Sequence, residues 1–90
     1  VVFNVGGRHF EILTHVIQRR PSTLLANLLD DIGTDSSQPI FVDASPDRFQ
    51  HIVDWYRYGE MSLPSTCCKH ALLRDARYFM LPDEVKMNGC

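Results

Sequence analysis

The sequence has little of what defines several large classes of protein. It contains three cysteines, an odd number that a closed set of disulfides cannot use, so a reducing compartment fits the chain best. Its apolar runs extend over a few residues, far short of the ~20 that a membrane-spanning helix requires. Nine Lys and Arg against eleven Asp and Glu give a net charge of −2, and the scattered basic residues form no nucleic-acid-binding surface. The composition therefore predicts a cytoplasmic segment without membrane or nucleic-acid contacts.

The remaining composition is that of an ordinary globular domain. The chain has 90 residues, of which 44% are hydrophobic and 22% charged. A domain this small leaves much of its surface unburied, so self-association would add stability. Because the sequence begins inside an apolar run at Val1 and stops at Cys90, we expect residues 1–90 to be a single domain cut from a longer protein.

Turn and cap signals predict a mixed α/β (α+β) fold. Gly6-Gly7 separates two short runs at 1–5 and 9–12, a pattern typical of a β-hairpin. Residues 40–42 predict a brief buried third strand. Capping and helix-breaking residues predict helices over 15–20, 23–31, 46–58 and from 64–66 to about 80, and a last short helix that starts at 81–84. We therefore expect a short three-stranded sheet packed with about five helices.

The reactive side chains form no pattern that predicts catalysis. No Ser, Cys or Asp stands at a spacing from a histidine that indicates a nucleophile and its base, so we expect no enzyme and no cofactor. Cys67-Cys68 with His70 and Cys90 is the one cluster with zinc ligands. Adjacent cysteines cannot easily both bind one ion, and free thiols are the simpler interpretation. A metal-sensing or redox domain stays open as an alternative.

An ordered set of short motifs runs along the chain. Its members are Asn4-Val5-Gly6-Gly7, Phe10-Glu11, Phe41-Val42-Asp43, Phe49, Trp55-Tyr56-Arg57-Tyr58-Gly59, Leu63-Pro64 and Tyr78-Phe79. Together they resemble the potassium-channel tetramerisation branch of the BTB/POZ fold, and the resemblance covers essentially the whole chain. This branch includes the cytoplasmic amino-terminal domain of voltage-gated potassium channels and the soluble KCTD proteins. The resemblance implies a non-catalytic domain that assembles identical or related subunits into a cyclic ring.

The two groups within this branch use the ring differently. In the channels it is a four-fold assembly on the cytoplasmic side of the pore, and it restricts which subunits co-assemble. In KCTD proteins it is often five-fold, and several of them act as adaptors for cullin ubiquitin ligases. We expect a channel-type homotetramer that directs potassium-channel subunit assembly, with the pentameric cullin adaptor as the alternative.

The resemblance also implies an interface drawn from the hairpin and from the turn between the third strand and the following helix. The residues predicted there are Asn4, His9, Glu11, Asp43 and Arg48. In the family an arginine commonly follows the Phe-x-Asp motif, whereas Ala44 follows Asp43 here, so Arg48 is predicted to supply the missing charge. Two simpler interpretations stay open, namely that Asp43 caps the following turn and that Arg48 is a solvated helix residue.

Channel subfamilies outside the Shaker group carry a zinc motif between subunits, made of His, five residues, Cys, twenty residues and Cys-Cys. Laid on this sequence, the motif matches Cys68 and Cys90 but places Ser62 and Gly89 at the other two ligand positions. A structural zinc site normally has four protein ligands. We therefore expect a degenerate motif that binds no metal.

Overall fold

Strands and helices are interspersed along the chain, of which the computed structural model describes residues 1–32, 38–63, 69–82 and 86–89. The elements within these residues are β1 (Val2–Val5), β2 (Arg8–Glu11), α1 (Thr14–Gln18), α2 (Leu24–Ile32), β3 (Ile40–Val42), α3 (Pro46–Tyr58), β4 (Glu60–Leu63), α4 (Lys69–Tyr78) and β5 (Lys86–Gly89). The predicted mixed α/β class is confirmed, as is a three-stranded sheet that starts with a hairpin. None of the helices in these ranges is long and apolar enough to cross a membrane.

The hairpin of β1 and β2 turns at Gly6 and Gly7, as the sequence predicts. Both glycines have positive φ angles, of 56° and 99°. A Cβ atom at Gly6 would lie 2.7 Å from the Ala44 carbonyl oxygen, so this close approach also requires glycine. The Gly6 N–H donates a hydrogen bond to the Val42 carbonyl oxygen at 3.2 Å. The hairpin turn is thus held against the connection between β3 and α3.

The three-stranded sheet has the order β2-β1-β3. β1 pairs antiparallel with β2 and parallel with β3, and α1 and α2 lie in the crossover between β1–β2 and β3. Phe3 and Val5 of β1 are fully buried, and so lie on the inner face of the sheet. Their partners on β3 are the buried Ile40 and Val42. The inner face therefore forms one wall of the hydrophobic core.

α3 passes through this core, and both of its predicted ends are confirmed. It begins at Pro46 and ends at Gly59, which has a φ of 82° and donates its N–H to the Trp55 carbonyl oxygen. Ser45 occupies the N-cap position with extended backbone but forms no side-chain cap hydrogen bond, contrary to the sequence prediction. The Phe49 ring contacts the inner face of the sheet at Phe10 and the end of α4 at Phe79, with centroid distances of 4.9 and 5.4 Å.

Two further local predictions differ from the structure. Phe41 in β3 was expected to be buried with its neighbours, but 64% of its surface is exposed. Residues 86–89 continue a segment for which a last short helix was predicted, but they form β5, which pairs parallel with β4. The remainder of that predicted helix, at 83–85, and the predicted cap at 64–66 lie outside the described residues.

Candidate oligomer interface

The three-stranded sheet has a second face that points away from the core. The strand register places Asn4 of β1 between His9 of β2 and Phe41 of β3, and it places Val2 opposite Glu11. Cross-strand partners share one face of a sheet, and neighbours along a strand alternate between faces. Since Phe3 and Val5 point inward, these five residues point outward. We call Val2, Asn4, His9, Glu11 and Phe41 the outer sheet face.

This outer sheet face has an apolar residue beside polar ones. Phe41 is 64% exposed, His9 and Glu11 are exposed, and Val2 and Asn4 are half-buried. Exposed aromatic side chains are enriched in protein interfaces, where polar side chains lie beside them. Sequence reasoning did not include Phe41 in the interface. The alternation of side chains along a strand could have indicated it. Ile40 and Val42 both point inward, so Phe41 between them points outward.

Three of the five predicted interface residues lie together on the outer sheet face. They are Asn4, His9 and Glu11. The Asn4 side-chain oxygen also accepts a hydrogen bond from the Gly7 N–H at 3.0 Å, so this residue fixes the hairpin turn as well. The side chains of His9 and Glu11 form no hydrogen bond or ion pair with any other described residue. Their polar groups are therefore available to a partner.

Asp43 follows β3 directly and is exposed. The turn there is closed by the backbone, because the Ala44 N–H donates to the Val42 carbonyl oxygen at 3.1 Å. Within the described ranges the Asp43 carboxylate forms no hydrogen bond or ion pair, so the alternative in which it caps this turn has no supporting contact. The Gly6 contact with Val42 brings this turn next to the hairpin, where the other predicted residues lie.

Arg48 makes a different contact. Its Nε atom lies 2.6 Å from Oδ2 of Asp75, and the pair connects α3 with α4. Arg48 is half-buried, and Asp75 is buried in a helix face that is otherwise apolar. The alternative in which Arg48 is a solvated residue does not fit this burial, whereas an interface role stays a prediction. Sequence reasoning noticed Asp75 in the apolar stripe but missed its partner, which precedes it by 27 residues.

A second ion pair borders the hairpin. Arg8 and Asp47 approach to 3.6 Å, and their side chains are 48% and 88% exposed. Solvent screens such a pair, which stabilises a fold by about 0–1 kcal/mol. The Arg8 guanidinium also lies 4.8 Å from the centre of the Phe10 ring. The exposed pair thus adds little to the contact between the hairpin and α3.

The cysteines considered as zinc ligands lie in segments that follow β4 and β5. Cys67, Cys68 and Cys90 lie outside the described residues. Within the ranges the structure describes, no group of three or more His, Cys, Asp or Glu side chains could hold a metal ion. The sequence alone therefore supports the expectation of a degenerate zinc motif.

Comparisons with known proteins match nearly the whole chain. The family model for the BTB/POZ domain matches residues 1–90. The potassium voltage-gated channel protein Shal of Drosophila melanogaster is 30% identical over 87 residues, which cover 94% of this chain and 15% of that protein. A BTB/POZ domain-containing protein of Arabidopsis thaliana is 30% identical over 88 residues, 96% of this chain and 20% of that protein. The BTB/POZ domain-containing protein KCTD9 of Mus musculus is 27% identical over 85 residues, 88% of this chain and 25% of that protein. The chain thus spans a quarter or less of each relative.

Proposed function

The chain belongs to the BTB/POZ family, in its potassium-channel tetramerisation type, and from this premise we propose that it is a non-enzymatic self-assembly domain whose outer sheet face contacts the next subunit. Domains of this family mediate self-association and interactions with related subunits. The observation that carries the proposal is the exposed Phe41 in a row with Asn4 and His9. An exposed aromatic side chain in such a patch supplies binding energy, and polar neighbours select the partner.

The specific assembly that we propose is a four-fold ring on the cytoplasmic side of a potassium channel, where it directs subunit assembly. The similarity to Shal over 94% of this chain supports this form. The alternative is a pentameric adaptor that links a substrate to a cullin ubiquitin ligase, and the similarity to KCTD9 over 88% of the chain supports it. In either form, residues 1–90 are one domain of a longer protein.

A closed ring requires two different patches on each subunit, one complementary to the other. The outer sheet face and the adjacent Asp43 carry two exposed carboxylates, at Glu11 and Asp43. The described residues also include a surface of opposite charge on α4, where Lys69, Arg74 and Arg77 are exposed. The acidic residue of α4, Asp75, is buried against Arg48 and does not offset them. We propose that Asp43, at the hairpin-turn end of the outer sheet face, faces α4 of the next subunit.

The experiment that tests the proposal is the native mass of the 90-residue chain, measured by light scattering over a dilution series down to the low micromolar range. A mass of four subunits is expected for the channel-type ring. A mass of five subunits would support the adaptor form in its place. A monomer at every concentration would contradict self-assembly.

A further inference from the structure

The connection between α1 and α2 carries a sequence that the assembly function does not use. Residues 19–22 read Arg-Arg-Pro-Ser, so two guanidinium groups precede the Ser22 hydroxyl by three and two residues. Among the serines and threonines of the whole sequence, Ser22 and Thr23 alone have an Arg or Lys within the four preceding residues. Arginine-directed protein kinases select substrates by such a charge pattern, because carboxylates beside their peptide groove pair with the arginines.

The structure distinguishes the two hydroxyl groups. Ser22 is exposed in the turn between the helices. Thr23 is 2% exposed, and its hydroxyl donates a hydrogen bond to the Arg20 carbonyl oxygen at 2.8 Å. Ser22 also has a φ of 68°, so this residue belongs to neither helix. A kinase can therefore reach the hydroxyl of Ser22 but not that of Thr23.

The side chains of the two arginines form only long hydrogen bonds with their own chain. Arg19 donates to the Arg57 carbonyl oxygen at 3.3 Å, and Arg20 donates to the Tyr56 carbonyl oxygen at 3.4 Å. Both distances exceed the usual 2.9–3.0 Å of such bonds. The preceding helix α1 has five residues, so opening this segment breaks few backbone hydrogen bonds. The segment can therefore adopt the extended form that a kinase binds.

We propose that Ser22 is a phosphorylation site for an arginine-directed serine/threonine protein kinase and that the bound phosphate pairs with Arg19 and Arg20. In the reaction, the Ser22 Oγ atom attacks the γ-phosphorus of ATP and forms the new O–P bond. The bond from that phosphorus to the oxygen bridging the β- and γ-phosphates breaks, and ADP leaves. The hydroxyl proton passes to the catalytic base of the kinase.

The groups around Ser22 can bind a phosphate attached to its hydroxyl. Ser22 lines an open groove of about 360 Å³ together with Arg19, Arg20, Trp55 and Met80. The Arg20 guanidinium lies over the Trp55 ring at 5.1 Å from its centre, which orients it at the groove. Ser22 also precedes the first residue of the nine-residue helix α2 by two positions, and the N-terminus of a helix attracts negative charge. Two guanidinium groups and a helix N-terminus can thus hold a phosphate of charge about −2.

This site is separate from the outer sheet face. The groove contains Trp55, near the C-terminal end of α3, whereas the hairpin turn packs against Pro46 at the N-terminal end. A helix of 13 residues is about 20 Å long. Phosphorylation is therefore expected to leave the outer sheet face accessible.

The test incubates the purified 90-residue chain with magnesium, ATP and the catalytic subunit of cyclic-AMP-dependent protein kinase, and follows intact mass and peptide maps. One phosphoryl group on Ser22 is expected. Ser22→Ala should abolish incorporation, whereas Ser45→Ala, a control at a serine without a side-chain cap hydrogen bond, should retain it. Arg19→Gln changes an exposed arginine and should slow incorporation by about ten-fold, the effect of losing one charge-assisted contact.

Two results would overturn the site. One is incorporation at a residue other than Ser22. The other is no incorporation into the folded chain under conditions that phosphorylate a synthetic peptide of residues 17–26.

The pairing of the phosphate with Arg19 and Arg20 is tested separately by a phosphorus NMR titration. The second phosphate pKa should be lower in the folded chain than in the urea-unfolded chain, and equal values would contradict the pairing.

Discussion

Arg48 and Asp75 form an ion pair inside the subunit, with 2.6 Å between the Arg48 Nε and Asp75 Oδ2 atoms. The Asp75 side chain is 12% exposed and that of Arg48 is 29% exposed, so solvent screens the pair only in part. The contact connects α3 with α4 and is formed before any partner binds. Arg48 therefore has a structural role in the isolated subunit, whatever it adds to an interface.

Replacement of Arg48 should destabilise the fold. Arg48→Met keeps much of the apolar stem but leaves the Asp75 carboxylate buried without this charge partner, so we expect a loss of about 2–3 kcal/mol in the free energy of unfolding. Urea denaturation at fixed protein concentration measures it. Arg8→Met, which removes the exposed pair with Asp47, should cost less than about 1 kcal/mol. If Arg48→Met kept its unfolding midpoint but lost self-association, the principal role of Arg48 would lie at the interface.

Charge reversal tests the patches that we propose to face each other. Asp43→Arg places a cation opposite the basic face of α4, so we expect the assembly to dissociate while far-UV circular dichroism stays unchanged. The added substitution Arg74→Asp should restore the assembly in the double variant. Asp30→Arg makes the same charge change at an exposed position of α2 and should leave the native mass unaltered. An unchanged mass for Asp43→Arg would remove Asp43 from the interface.

Stability should fall at high pH because of Tyr56. Burial raises the pKa of Tyr56 to about 12, and its neighbours Thr23 and Leu25 offset this only in part. Below its ordinary pKa of about 10 the phenol is protonated in both the folded and the unfolded chain, so its ionisation does not lower the free energy of unfolding there. Above that pH the unfolded chain loses this proton first, which stabilises the unfolded state. The free energy of unfolding therefore falls until the pH passes the pKa of the folded state. By pH 11 the loss is expected to reach about 1.4 kcal/mol.

Comparison of urea midpoints near pH 9 and pH 11 isolates this effect. Tyr56→Phe should remove the part of the decrease in the urea midpoint that Tyr56 ionisation causes. Tyr58→Phe makes the same chemical change at a side chain that is 73% exposed, and it should decline as the unchanged protein does. Equal declines in both variants would show that Tyr56 does not cause the pH dependence.

Metal removal should leave the assembly intact. Because Ser62 and Gly89 occupy two of the four ligand positions of the zinc motif, we expect the native mass to be the same with and without a zinc chelator. Metal analysis of protein purified without added zinc gives a second readout. Dissociation by the chelator, together with stoichiometric zinc, would show that the assembly depends on bound zinc despite the incomplete motif.

Elements with local signals were predictable from the sequence, and those that depend on distant pairing were not. The hairpin depends on Gly6 and Gly7, and the end of α3 depends on Gly59, so adjacent residues determine them. The pairing of β4 with β5 joins segments that start at 60 and 86, and no short-range pattern indicates it. The partner of Asp75 was missed for the same reason. For the proposed interface, the family resemblance implied the polar residues, which stay a prediction, whereas the exposure of Phe41 required the strand register.

The most direct test of the central claim is sedimentation equilibrium of Phe41→Lys beside Tyr58→Lys. Both substitutions place a lysine at an exposed aromatic position, at 64% and 73% exposure, so neither should prevent folding. Only Phe41 lies on the outer sheet face, where a lysine would place an unpaired charge inside the subunit contact. The proposed interface predicts a monomeric Phe41→Lys and an assembled Tyr58→Lys. An assembled Phe41→Lys with unchanged mass and affinity would contradict it.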